Sequence, residues 1–184
     1  SHVYRGVWRS GPGTVVRVPI GGGQDETIAS DFAQGLTIDD GAVYWGSAGA
    51  IKRYDKQSAT ITLLASGSYV PLGSLEYGGL WSTASDLYWV ENDSMGIAKL
   101  PKTAAETDTP ATVPVTDAHE LAVSGPEVFF VGNSIIGKVD AGGSVQTLVS
   151  MLSQARHMAV NSSTIYWVDD EGLHSRSKVG GTAR

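Results

Sequence analysis

The chain has 184 residues, 41% of them hydrophobic and 17% charged, which gives room for one ordinary domain with a sizeable buried core. Its net charge of -6 and pI near 5.1, without a basic cluster anywhere, exclude a surface built for nucleic acid or anionic membrane, since that affinity comes from Lys and Arg meeting phosphate. The absence of cysteine removes disulfides and thiolate metal sites together, and no apolar run approaches the ~20 residues of a membrane helix.

Ser1 to Trp8 carry neither a basic region nor an apolar signal segment. Val3-Tyr4 then opens a pattern that recurs to the end of the chain. Its clearest copy runs from Gly35 to Gly67. There, Leu36-Thr37-Ile38 alternates and closes at Asp39-Asp40-Gly41, and Val43-Tyr44-Trp45 closes at Gly46 to Gly49. Ile51-Lys52-Arg53-Tyr54 breaks at Asp55 to Ser58, and the β-branched run Thr60 to Leu64 ends at Ser66-Gly67. Each segment reads as a short strand followed by a turn, so one copy holds four antiparallel strands.

The aromatic marker of the second strand returns at Leu87-Tyr88-Trp89, Val128-Phe129-Phe130 and Ile165-Tyr166-Trp167, roughly every 40 residues. A basic residue of the third strand keeps step with it, at Arg17, Arg53, Lys99, Lys138 and Arg176. First strands fall at Leu36 to Ile38, Leu80 to Ser82, Leu121 to Val123 and Met158 to Val160. Fourth strands fall at Glu26 to Ala29, Thr60 to Leu64, Ala111 to Val115 and Val145 to Val149. The polar stretch Lys102 to Pro110 reads as an extended surface hairpin loop of the third copy. The second strands are apolar on successive residues, as expected of sheets sandwiched between two others. The fold expected is an all-β, single-domain β-propeller with five recognisable four-stranded blades, at about residues 1–30, 31–67, 76–116, 117–150 and 155–184. Its first copy begins at the second strand and its last stops after the third. The expectation is therefore a six-bladed ring whose open blade edges are completed by further strands, by a homodimer or by a complementary chain.

Ile165-Tyr166-Trp167-Val168-Asp169, followed by His174-Ser175-Arg176 and Gly180-Gly181, resembles the YWTD repeat of low-density-lipoprotein-receptor-type propellers. Ile51-Lys52-Arg53, Ile97-Ala98-Lys99 and Ile136-Gly137-Lys138 resemble that repeat's third-strand segment. The whole chain is also similar to the looser repeat propellers of bacterial surface and periplasmic proteins, the NHL type among them. The resemblance implies a six-bladed propeller with an extracytoplasmic binding role, at the cell surface, outside the cell or in the periplasm.

Loops leading into the innermost strands are where the copies differ most in chemistry while their strands agree. Gln34, Tyr77, His119, Glu120, Arg156 and His157 stand there, and counting along the chain makes Gln34, His119 and Arg156 equivalent, as are Glu120 and His157. They are the candidate ligand-binding residues, for a small molecule, a glycan or a protein. No nucleophile elbow, phosphate loop or paired-carboxylate spacing occurs, so no catalytic residue, no metal ligand and no cofactor is assigned. A divalent metal held by His119 and His157 with Glu120 as base, in a lyase or hydrolase, is the alternative. An assembly module using its open blade edges is a further one. The acidic turns at Glu91 to Ser94 and Asp169 to Gly172 offer carboxylates for calcium, but Asx and Gly residues are also the ordinary choice for such hairpins.

Overall fold

The computed structural model describes residues 1–7, 13–47, 49–67, 79–91, 96–115 and 117–179. The first blade holds β1 (His2–Val7), β2 (Thr14–Pro19) and β3 (Glu26–Ala29). The second holds β4 (Gly35–Ile38), β5 (Ala42–Ser47), β6 (Ala50–Asp55) and β7 (Ile61–Ser66). The third comprises β8 (Trp81–Ser82), β9 (Asp86–Val90), β10 (Ile97–Pro101) and β11 (Ala111–Val113). The fourth is β12 (Ala118–Ser124), β13 (Glu127–Gly132), β14 (Ile135–Val139) and β15 (Val145–Ser150), and the fifth is β16 (Arg156–Val160), β17 (Thr164–Asp169) and β18 (Gly172–Ser177). Strands pair antiparallel in chain order within every blade, so each blade is a meander. The innermost strands β4, β8, β12 and β16 touch in succession, which sets the blades side by side around an axis.

The core lies between blades. Val15 and Ala33 meet Val43, Trp45 and Tyr54 between the first two, and Tyr44, Leu64, Trp89 and Leu100 fill the next space. Tyr88, Ile97, Leu121 and Phe130 join the third blade to the fourth, and Phe129, Ile136, Ile165 and Trp167 join the fourth to the fifth. Because both faces are covered, all six residues of β5 are buried. In β17 burial alternates instead: Ile165, Trp167 and Asp169 face the fourth blade, while Tyr166 and Val168 are exposed on a face that no described sheet covers. Gly137 sits under the Phe130 ring so closely that a Cβ would run into it, which fixes the glycine by packing.

The third-strand basic column is real in four blades and broken in the fifth. Arg17, Arg53, Lys99 and Lys138 stand opposite Tyr4, Tyr44, Tyr88 and Phe129. Opposite Tyr166 the residue is Ser175, and Arg176 pairs with Ile165 one place on. One residue of offset turns a strand side chain to the other face, so Arg176 points back toward the fourth blade. Blades are clamped mainly by a different set of lysines, just past the third strands. Lys56 lies 5.2 Å over the Tyr4 ring, Lys102 5.2 Å over Tyr44, and Lys178 5.0 Å over Phe129, each ring belonging to the preceding blade. Lys102, expected on a surface loop, is buried and donates to Asp39 Oδ2 at 2.8 Å and to the Thr83 carbonyl at 2.7 Å. Where the fourth blade has Ala141 in place of this lysine, Lys99 of the third blade reaches across to its carbonyl at 3.1 Å.

Candidate functional site

The loops that lead into the innermost strands are tied to the hairpins joining second and third strands, so both sit at one end of the blades. Gln34 N–H donates to the Gly46 carbonyl at 2.9 Å. The Leu152 and Ala155 amides bond the carbonyls of Ser134 and Asn133, and the Asp170 amide bonds that of Ser153. Asp117 accepts from the Asn133 amide at 3.1 Å and from its side-chain Nδ2 at 2.9 Å, holding the fourth blade's lead-in loop to its own hairpin.

Four of the candidate residues meet where the fourth and fifth blades adjoin. His119 is the extra residue of a bulge in β12, between Ala118, opposite Gly132, and Glu120, opposite Val131. Its Nε2 lies 3.0 Å from the Ala155 carbonyl of the next lead-in loop. His157 is the extra residue of a bulge in β16, since Arg156 stands opposite Val168 and Met158 opposite Trp167. Glu120, half-buried, receives the Met158 amide at 3.4 Å on Oε1 and lies 3.4 Å from His157 Nδ1 through Oε2. The His157 side chain is 73% exposed, so this pair opens to solvent. Arg156 bonds Asp170 Oδ1 at 3.1 Å with both side chains about half exposed, which makes it an orienting contact rather than a stabilising one.

The bulges change the equivalences read by counting. Arg156, not His157, occupies the pairing place of Glu120 and of Gly35, and His157 is inserted beside it. Backbone strain gathers at the same place. Of the five described non-glycine residues in the left-handed region, Asp117 (φ 71), Met151 (φ 62) and Gln154 (φ 56) lie on the approaches to β12 and β16 and His157 (φ 45) in the β16 bulge, while Ala59 (φ 56) lies in the turn before β7. Asp117, Asn133 and Asp170 belong to this cluster although no sequence pattern joins them. The only signal was their place in polar segments at the same end of neighbouring repeats.

Gln34 stands apart, in the second blade, where its Oε1 is buried and accepts no hydrogen bond among the described residues. Beside it Asp31 anchors the approach to β4. Burial alone would raise its carboxyl, but bonds from Lys52 Nζ at 2.6 Å, from Ser47 and from Trp45 Nε1 at 2.9 Å outweigh that and hold it below the usual carboxylate range. Tyr77 lies outside the described residues, as do Asn92, Asp93 and Ser94 of the first acidic turn. In the second acidic turn, Asp169 accepts from the Glu171 amide at 2.9 Å and lies 2.8 Å from His174 Nε2, while His174 stacks on Trp167 with ring centroids 5.5 Å apart. Its carboxyl is spent on the hairpin. Among the described residues no group of three His, Asp or Glu side chains is placed to hold a metal ion.

No protein-family model matches this chain, and no curated protein matches it. Solved structures do. A catalytically inactive histidine-to-alanine variant of virginiamycin B lyase from Staphylococcus aureus, with quinupristin, superposes with a TM-score of 0.66 at 14% identity, covering 93% of this chain and 62% of the lyase chain. A chain of a nidogen/laminin complex gives 0.60 at 12% identity, over 91% of this chain and 69% of that one. PorZ, a bacterial surface component of the type-IX secretion system of Porphyromonas gingivalis, gives 0.64 at 14% identity, over 100% of this chain and 24% of PorZ. At such identities the likeness establishes the β-propeller fold. The chain spans less than two thirds of the lyase's length.

Proposed function

We propose that this β-propeller is a non-enzymatic, extracytoplasmic binding module that takes a small molecule, a glycan or a protein at the mouth of its channel, with His119, Glu120, Arg156 and His157 as the contact group and Gln34 and Tyr77 as the further contacts expected from the sequence. The supporting observation is the concentration of left-handed non-glycine backbone in the two lead-in loops that carry these residues, with the His157 and Arg156 side chains exposed between them. Strain of this kind persists where the surroundings hold it for a purpose. Likeness to a bacterial surface component supports the extracytoplasmic setting.

The test is a glycan array and a metabolite thermal-shift screen on the whole chain, repeated with Arg156→Ala and His157→Ala. Both residues are exposed, so each variant should melt within about 2 °C of the parent. A saturable ligand lost in both variants is the expected result; a ligand bound equally by all three proteins overturns the assignment of the site.

A second reading, a metal-assisted lyase or hydrolase with His119 and His157 as ligands and Glu120 as base, has the facing of His157 Nδ1 and Glu120 Oε2 in its support and against it the lack of a three-residue ligand group among the described residues, with His119 Nε2 on the Ala155 carbonyl. A histidine whose loss inactivates one structural neighbour adds to its interest. Elemental analysis together with melting before and after dialysis against a chelator decides it: no bound metal and an unchanged midpoint reject it.

A further inference from the structure

The contact group at the meeting of the fourth and fifth blades is charge-paired, and that narrows what it can take. Two successive residues at the start of β16 each face a carboxylate of another segment. Arg156 Nη2 donates to Asp170 Oδ1 at 3.1 Å, and His157 Nδ1 lies 3.4 Å from Glu120 Oε2. The carboxylates are anchored in turn, Asp170 Oδ2 by the Ser153 hydroxyl at 3.4 Å and Glu120 Oε1 by the Met158 amide at 3.4 Å. All four side chains and their anchors lie within residues 117–179, a continuous described stretch, so the arrangement is complete in itself.

Each pair sets a donor beside an acceptor and leaves capacity on both. Arg156 Nε goes to the Gln154 carbonyl at 3.3 Å, and its Nη1 has no partner among the described residues. Each carboxylate oxygen keeps a further lone pair, and a neutral imidazole whose Nδ1–H is held by a carboxylate offers Nε2 as an acceptor. An anion drawn to Arg156 would meet Asp170, and a cation drawn to Asp170 would meet Arg156, so for a charged ligand attraction and repulsion largely cancel. A hydroxyl meets no such conflict, because it accepts from a guanidinium and donates to a carboxylate at once. We propose that this rim takes a neutral saccharide, one hydroxyl bridging Arg156 Nη1 to the Asp170 carboxylate and its vicinal neighbour donating to His157 Nε2. The inference rests on the assignment of these residues to ligand binding and fixes the class of the ligand as uncharged and polyhydroxylated.

The probes are an array of neutral, uronate-bearing and glucosamine-bearing saccharides, followed by calorimetric titration of the whole chain with the best binder of each kind. The neutral saccharide should bind best, with an affinity that changes less than about threefold between about 50 and 500 mM NaCl. Arg156→Ala should weaken it about tenfold or more, as for a lost hydrogen bond to a charged group. Asp170→Asn keeps an acceptor for Arg156 but uncovers its charge, so the uronate-bearing saccharide should bind this variant better than it binds the parent. A preference of the parent for a charged saccharide, or an affinity that falls more than about tenfold over the same salt range, overturns the inference; if Arg156→Ala still abolishes that binding, the contact group itself stands. No saccharide retained, with an Arg156-dependent ligand emerging from the metabolite screen instead, likewise overturns the inference alone. A neutral saccharide bound equally by the parent and by Arg156→Ala overturns both it and the site.

Discussion

Replacing Lys102 by Met tests whether blades are clamped by buried lysines. The thioether keeps most of the stem's bulk and removes the ammonium that bonds Asp39 Oδ2, the Thr83 carbonyl and the face of Tyr44. A fully buried pair would cost about 3–5 kcal/mol to break. Here Asp39 is about one third exposed and keeps three other donors: the amides of Gly41 and Ala42 at 2.9 and 2.8 Å, and the Tyr44 hydroxyl at 3.1 Å. The expected loss is therefore nearer about 2 kcal/mol, roughly half from the discounted ion pair and half from the ring and carbonyl contacts. For a chain of this length that is about 4–8 °C in Tm.

Arg5→Met, at the exposed Arg5–Asp25 pair, is the control and should change little. Acid provides an internal check. Burial would raise the Asp39 carboxyl, but the bonds from Lys102, Ala42 and Tyr44 prevail and hold it low in the folded state. The pair's contribution is thus present above the ordinary carboxylate value of about 4 and lost as pH falls through the lower folded value. Melting curves of both variants from neutral pH downward should show the Lys102→Met deficit shrinking in acid. A deficit no larger than that of Arg5→Met, or one unchanged by acid, would refute the clamp.

Asp31→Asn leaves Lys52 without its counter-charge and, with an amide nitrogen in place of Oδ2, takes the acceptor from Trp45 Nε1 while Ser47 keeps Oδ1, so a loss of about 2–3 kcal/mol is expected by urea titration, with a change in near-ultraviolet dichroism from Trp45; a loss under about 0.5 kcal/mol would show the loop before β4 to be held otherwise. Gly137→Ala forces the Phe130 ring from a filled core and should cost about 1–3 kcal/mol, read as a lower Tm without loss of the fold. Burial beside the Asp39 carboxylate pushes the Tyr44 phenol up to about 12. Its protonated form is favoured by folding, so stability holds below about 10 and declines as pH rises toward the folded value. Absorbance at the tyrosinate band should show a late-ionising fraction that Tyr44→Phe removes; the same curve in both proteins would contradict that burial.

The blades were legible because their signals are local. A bulky apolar second strand between Asx-Gly turns means the same thing in every copy, and β3, at Glu26–Ala29, falls where the repeat placed it. Register across strands was less legible. The hairpin from Asp169 to Gly172 closes as that from Ser47 to Ala50 does, but the arginine stands one residue later along its strand, so Ser175 falls opposite Tyr166 where Arg53 falls opposite Tyr44. Arg176 consequently crosses to the other face, a change that counting basic residues cannot detect.

The clamp was hidden for a related reason. Lys56, Lys102 and Lys178 lie just after their strands, in segments whose polarity reads as surface, and only the neighbouring blade's ring makes their burial favourable. The site was half legible on the same logic. The loops leading into the innermost strands announced themselves by variation, yet which residues meet was decided by two bulges, at His119 and His157, that no local pattern encodes. Each bulge adds one residue to an innermost strand without disturbing the pairing beyond it. Side chains at the rim can thus be re-aimed while the inter-blade core stays intact, which is how a scaffold of near-identical repeats comes to carry unlike chemistry at one end.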